Sequence, residues 1–173
     1  MNQEDVLFMT LDSCRFDTFE YAYSNNLIPN LRSVGTLHKA KAPSHFTYGS
    51  HSAFWMGFTP GVTKSRKALL NPKAGKLFRM SHSGLAKSEH DSFILHGRNI
   101  VNGFNNKGYL TLGTGAVEWF NPRTQTGRVL GSDFNQFYFS GNTWNLESQI
   151  RWIDQCLENN AKNQNVFCFI NSI

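Results

Sequence analysis

The stretch V6-LFMTLDSCRFDT-F19 decides how the chain is read. Val6–Leu11 is a continuous, mostly apolar run of strand length that stops at Asp12-Ser13, which reads as a buried strand of the parallel type. Phe16, Phe19 and Tyr23 then recur at helical spacing. A strand that leads straight into a helix is the first half of a βαβ unit, and it predicts an α/β fold. Asp12 stands at the junction. It either caps the next turn or is a carboxylate presented at a strand end for chemistry.

Further along, "IPNL" interrupts the helical pattern, because the residue before Pro29 is pushed out of the helical region. A short piece is expected around Thr36–Ala42. The run "TYGSHSAFWM", 47–56, predicts a helix closed by Gly57, with Pro60 soon after. From Thr63 to His96 the sequence is polar and basic with little periodicity, and reads as a loop or lid-like insertion. Ile100, Val101 and Phe104 suggest a short helix ended by Gly108, and "YLTLGTG" a second strand. "DFNQFYF" suggests an extended or edge segment. The clearest helix spans 143–160, where Leu146, Ile150, Ile153 and Leu157 form one stripe, with Asn142 or Thr143 as its cap. It feeds "NVFCFI", a third strand that reads as central. The expected architecture is a mostly parallel sheet flanked by helices, joined by right-handed crossovers.

A chain of 173 residues with 40% hydrophobic and 17% charged residues fits one globular domain. The net charge of +5 is spread thinly, with Lys64, Arg66 and Lys67 the only tight basic group, so no nucleic-acid partner is expected. The polar start "MNQED" is no secretory signal, and no apolar stretch approaches the ~20 residues that span a bilayer. Cys14, Cys156 and Cys168 leave one cysteine over and form no CxxC pair, which points to a reducing, cytoplasmic setting without membrane partners. Cys14 is expected to pack inside. His45, His51, His82, His90 and His96 lack the spacing of a recognisable metal site.

Two positions carry chemistry if placed together. Ligands of open α/β sheets bind beyond the carboxyl ends of the strands, where Asp12 lies. Thr47 opens a helix, where unpaired N–H groups and the helix dipole favour an anion. A metal-bound carboxylate beside a hydroxyl is one way to attack a phosphate- or sulfate-like group. The bland readings are a turn residue and a helix cap.

The segments "VLFMTLDSCRFDTF", "IPNL" and "TYGSHSAFWMGFTPG" resemble the amino-terminal part of the alkaline phosphatase/sulfatase superfamily. Its members open with an apolar strand and Asp-Ser-x-Arg-x-Asp, followed by Pro-Asn-Leu. They then place a nucleophile ten residues before the Gly of Thr-Gly-x-x-Pro. Gly57 and Pro60 match that Gly and Pro, Met56 replaces the Thr, and counting back reaches Thr47. "NKGYLTLGTG" and "NVFCFINSI" are weaker matches to later strands.

The resemblance implies an alkaline-phosphatase-like fold and a metal-dependent hydrolase of phosphate or sulfate esters. Asp12 and Thr47 would be metal ligands, with Thr47 also the nucleophile. Arg15 and His51 would meet the substrate, although Arg15 equally suits an ion pair with Asp17. The cofactor would be a divalent metal, Zn, Mn, Mg or Ca. The match spans about half of a complete family domain and lacks its later Asp and His ligands, while Ala116 and Glu118 stand where the family has Lys and His. A truncated chain is therefore expected, completed by a missing half or by a homo-oligomer. The alternative is a non-catalytic fragment or pseudoenzyme that binds a partner.

Overall fold

A computed structural model describes residues 4–57, 99–159 and 164–173. The described elements are strands β1 (Val6–Leu11), β2 (Leu110–Gly115), β3 (Gln136–Phe139) and β4 (Val166–Ser172). The helices are α1 (Phe16–Ser24), α2 (Pro29–Val34), α3 (Thr47–Met56), α4 (Ile100–Asn106), α5 (Gln125–Gly131) and α6 (Leu146–Asn159), with a 3-10 turn at Glu118–Phe120. The four strands form one sheet in the order β1-β4-β2-β3. Every pairing is parallel, so the α/β reading holds. Among the described residues no helix is long and apolar enough to cross a membrane.

The sequence places β4 correctly at the centre and β3 at an edge. β1 differs from expectation: it is the other edge, and Leu7 is 64% exposed. An apolar run reports apolar neighbours on the faces of a strand and says nothing about which strand lies beside it. The run of 47–56 is helical as expected, with Gly57 closing it in the left-handed region at φ 69°. Pro29 opens α2 at its first position, where its missing N–H costs nothing. Residues 36–42 form neither helix nor strand. Thr63–His96 lies outside the described residues. The clearest predicted helix starts later than expected, because Asn145 caps it: its Oδ1 accepts the N–H of Ser148 at 2.9 Å. α5 was not foreseen at all.

Alternation along the strands divides the core between the two faces. On one face Phe167 and Phe169 of β4 pack with Tyr48 and Trp55 of α3, Val101 of α4, Leu130 of α5, and Phe120 and Phe134. On the other, Leu110, Leu112, Cys168 and Ile170 lie under Ile153 and Cys156 of α6. Burial pushes the Cys168 thiol up to about 11, with Cys156 adding to the effect. Cys14 is exposed, contrary to expectation, because the chain has by then left the sheet. α1 and α2 contribute no buried residue.

Candidate functional site

Leu11 ends β1, and the N–H of Asp12 still donates to the carbonyl of Ser172 at 2.6 Å. The chain then reverses: the N–H of Cys14 reaches back to the carbonyl of Leu11 at 3.3 Å, with Ser13 at φ 64°. A side chain in the left-handed region costs about 1–2 kcal/mol, and the result is a sharp turn that leaves Asp12 at the strand tip. From the facing layer, α3 brings Thr47 to the same point. The Thr47 hydroxyl donates to Asp12 Oδ2 at 3.0 Å. The two leading sequence candidates therefore meet.

Three further side chains close a ring around this contact. The Nδ1–H of His51 donates to the Thr47 carbonyl at 2.8 Å, which fixes the tautomer and leaves Nε2 as an acceptor. The Thr10 hydroxyl lies 3.0 Å from Nε2 and donates to it. Asn171 Nδ2 in turn donates to Thr10 Oγ1 at 3.0 Å and stands 3.5 Å from Asp12 Oδ2. The circuit Asp12–Thr47–His51–Thr10–Asn171 thus joins β1, β4 and the first turn of α3. Asn171 has no exposed surface, and among the described residues its Oδ1 has no hydrogen-bond partner.

His51 is 3% exposed and meets Phe54, Trp55, Phe120 and Phe169 edge-on. Its imidazole serves the ring, one turn into the helix behind Thr47, and faces no open surface. Arg15 lies apart from Asp12. It forms a two-pronged pair with Asp17, at 3.0 and 2.6 Å, with 78% of its side chain exposed. Of the four predicted residues, Asp12 and Thr47 are brought together, His51 stands behind them, and Arg15 points elsewhere. Thr10 and Asn171 were missed. The available signal was parity: each is a polar residue within an apolar strand, on the side that carries Phe8 and Phe169.

The first turn of α3 has the donors an anion needs. The N-cap position is held by Phe46, whose side chain makes no cap hydrogen bond, and the N–H groups of a helix start suit an anion. Gly49 allows this turn to sit tightly: a Cβ there would lie 2.5 Å from Ser44 Oγ and 2.9 Å from the Phe46 ring. Ala116 is buried, and Glu118 accepts from Asn121 Nδ2 at 2.8 Å.

Burial lowers the His51 pKa, opposed by the Thr47 carbonyl and the charge of Asp12. The neutral ring is therefore favoured in the folded chain, and the unfolded chain takes up the proton first as pH falls. This contribution is complete above the ordinary imidazole pKa of about 6.5 and is lost below it, by at most about 1.4 kcal/mol per pH unit. Urea midpoints measured from pH 7.5 down to 5 should fall more steeply for the native chain than for His51→Gln. Parallel curves would show that His51 titrates alike in both states.

Comparison with known proteins finds no matching family model, no matching curated protein and no matching solved structure.

Proposed function

We propose that the Asp12–Thr47 corner belongs to a metal-dependent ester hydrolase of the sulfatase/phosphodiesterase type, with an alkaline-phosphatase-like sheet. The observation that carries this reading is the 3.0 Å contact between the Thr47 hydroxyl and Asp12, made where a strand end meets an uncapped helix start. A phosphate or sulfate ester drawn to the N–H groups of α3 would meet the carboxylate of Asp12. Two like charges at that distance repel, and a divalent cation between them removes the conflict.

The residues present fit such an ion in kind. Asp12 and Thr47 offer oxygen, and the only imidazole in the ring already uses both nitrogens. Oxygen donors suit Mg²⁺, Mn²⁺ or Ca²⁺ better than Zn²⁺, which favours nitrogen and sulfur. Among the described residues no three His, Cys, Asp or Glu side chains gather at one point. Six or more ligands are usual for Ca²⁺, so water and substrate would supply part of the shell.

When bound, the cation would lower the pKa of the Thr47 hydroxyl and offset charge on the ester. The chain's own residues do the rest. Asp12 accepts the hydroxyl hydrogen bond, orients Oγ1 and takes its proton as Oγ1 attacks phosphorus or sulfur in line, while the opposite bond to the ester oxygen breaks and the alcohol leaves with a proton from water. The helix N–H groups receive the non-bridging oxygens as charge builds on them. His51 holds the backbone of Thr47 so that attack costs little reorganisation.

Calorimetric titration with Mg²⁺, Mn²⁺, Ca²⁺ and Zn²⁺ tests the reading directly. One ion should bind per chain, an oxygen-preferring ion more tightly than Zn²⁺. Asp12→Ala and Thr47→Ala should each weaken binding by about tenfold or more, equivalent to ~1.4 kcal/mol. Equal affinity in all three proteins, or no binding by the native chain, would sink it.

A further inference from the structure

On the α6 side of the sheet, cover is uneven. Strands lie about 4.8 Å apart and helices pack at 8–10 Å, so one helix roofs about two strands. α6 roofs β2 and β4 through Ile153 and Cys156. β1 is left over. Between it and α6 runs an apolar groove of about 500 Å³, lined among others by Leu7, Met9, Ile150, Leu157, Val166 and Ile170. Ile150 and Leu157 are 43% and 40% exposed, although both belong to the apolar stripe of α6.

The rim of the groove carries more acidic than basic side chains. Helical spacing sets Glu147, Asp154 and Glu158 in line along the outer shoulder of α6, next to Ile150 and Leu157, and all three are exposed. Arg151 answers Glu147 in an ion pair, and among the described residues Asp154 and Glu158 have no ion-pair partner. At the open end of β1 stand Glu4 and Asp5, also exposed. These acids border an apolar trough in a chain whose net charge is +5, so the charge of this edge opposes that of the whole.

We propose that the groove docks an amphipathic helix of a partner polypeptide, lying alongside α6 with Lys or Arg flanking its apolar stripe. One helix roofs about two strands, so a single uncovered edge strand calls for one helix. The apolar floor takes anchors at i, i+3, i+4 and i+7. The acidic shoulder selects basic flanks and disfavours acidic ones. A second copy of this chain fits less well, because its own α6 would bring Asp154 and Glu158 against the same acids. The proposal stands apart from the hydrolase reading, since it uses neither Asp12 nor Thr47.

The test uses the full chain and a labelled synthetic helix of about four turns, with Leu at the anchor positions and Lys on both flanks. A counterpart carries Glu in place of each Lys. Fluorescence anisotropy at low salt should show the Lys helix binding about tenfold or more tighter than the Glu helix, with the gap narrowing as salt rises. Leu7→Asp, at an exposed position, should abolish binding. The double variant Asp154→Lys with Glu158→Lys should reverse the preference. Equal binding of both helices, or binding of neither, overturns the proposal. So does a native dimer in light scattering that Leu7→Asp converts to monomer, because the groove would then belong to a second copy.

Discussion

Trp55→Ala should lower the unfolding free energy by about 3–5 kcal/mol, the range for emptying a large aromatic site in a core. The indole is 2% exposed and lies at the junction of both halves of its core layer. Its ring centroid is 4.7 Å from that of Phe169 on the central strand, 5.9 Å from Phe134 and 6.1 Å from Phe8. Its Nε1–H donates to the Leu130 carbonyl at 3.2 Å and so ties α3 to α5. Alanine removes both contributions, and four surrounding elements cannot collapse onto the space together. Trp55→Phe separates them: most of the packing stays, and the loss should be close to the ~1–3 kcal/mol of an unsatisfied carbonyl. Urea unfolding with unchanged m-values measures both. A loss below about 1 kcal/mol for the alanine variant would mean that α3 is not a fixed part of the core.

Gly127→Ala should destabilise the chain by about 1–3 kcal/mol, against the usual sign. Glycine within a helix normally costs about 1 kcal/mol relative to alanine. Here a Cβ would lie 1.9 Å from the carbonyl oxygen of Asn121, 2.4 Å from its carbon and 2.7 Å from the carbonyl carbon of Phe120. All three atoms are backbone. The Asn121 oxygen is also pinned by two donors, the N–H of Thr124 at 2.9 Å and its hydroxyl at 2.8 Å, so it has nowhere to retreat. The next residue back, Phe120, is fully buried and presses on Gly115 of β2, where a Cβ would lie 2.3 Å from its own Cβ. Gly103→Ala in α4 is the control. Nothing lies within 4 Å of a Cβ there, so the same substitution should stabilise by up to about 1 kcal/mol. Thermal melts showing the same sign for both substitutions would contradict the packing of α5 against the 3-10 turn.

Elements whose signal is local were legible in the sequence. Val6–Leu11 and Val166–Ser172 announce themselves by apolar runs, Leu110–Gly115 by its place after Gly108 and its glycine-rich exit, and Thr47–Met56 is closed by a glycine in the left-handed conformation that such an end requires. α5 was not legible. Its sequence, QTGRVLG, contains two glycines and no periodic stripe, and it holds its place through a Thr124 cap and close contact with Asn121. The cap of α6 was misplaced because Asn142, Thr143 and Asn145 all have side chains suited to the task, and only the path of the loop chooses between them.

The same division runs through the candidate site. Asp12 and Thr47 could be named from their places at a strand end and a helix start. Asn171 and Thr10 could not, because their partners lie across a strand pairing that no local pattern specifies. His51 was expected to meet substrate one turn after Thr47, yet α3 is buried on nearly all sides, so every residue from Tyr48 to Ala53 faces protein. Its helical stripe was invisible for that reason.

The strand order carries a consequence for how the molecule comes into being. β1 and β2 do not touch; β4 lies between them and pairs with both, Val6 with Phe167 and Leu110 with Val166. A ribosome releases β1 before β2, β3 and β4, so β1 waits until Val166–Ser172 has been made for the strand that pairs with it among the described residues. Contacts so distant along the chain close slowly, and an unpaired apolar strand is exposed to wrong partners in the meantime. The ring around Asp12 spans that same seam, so it can close only after β1 and β4 have paired.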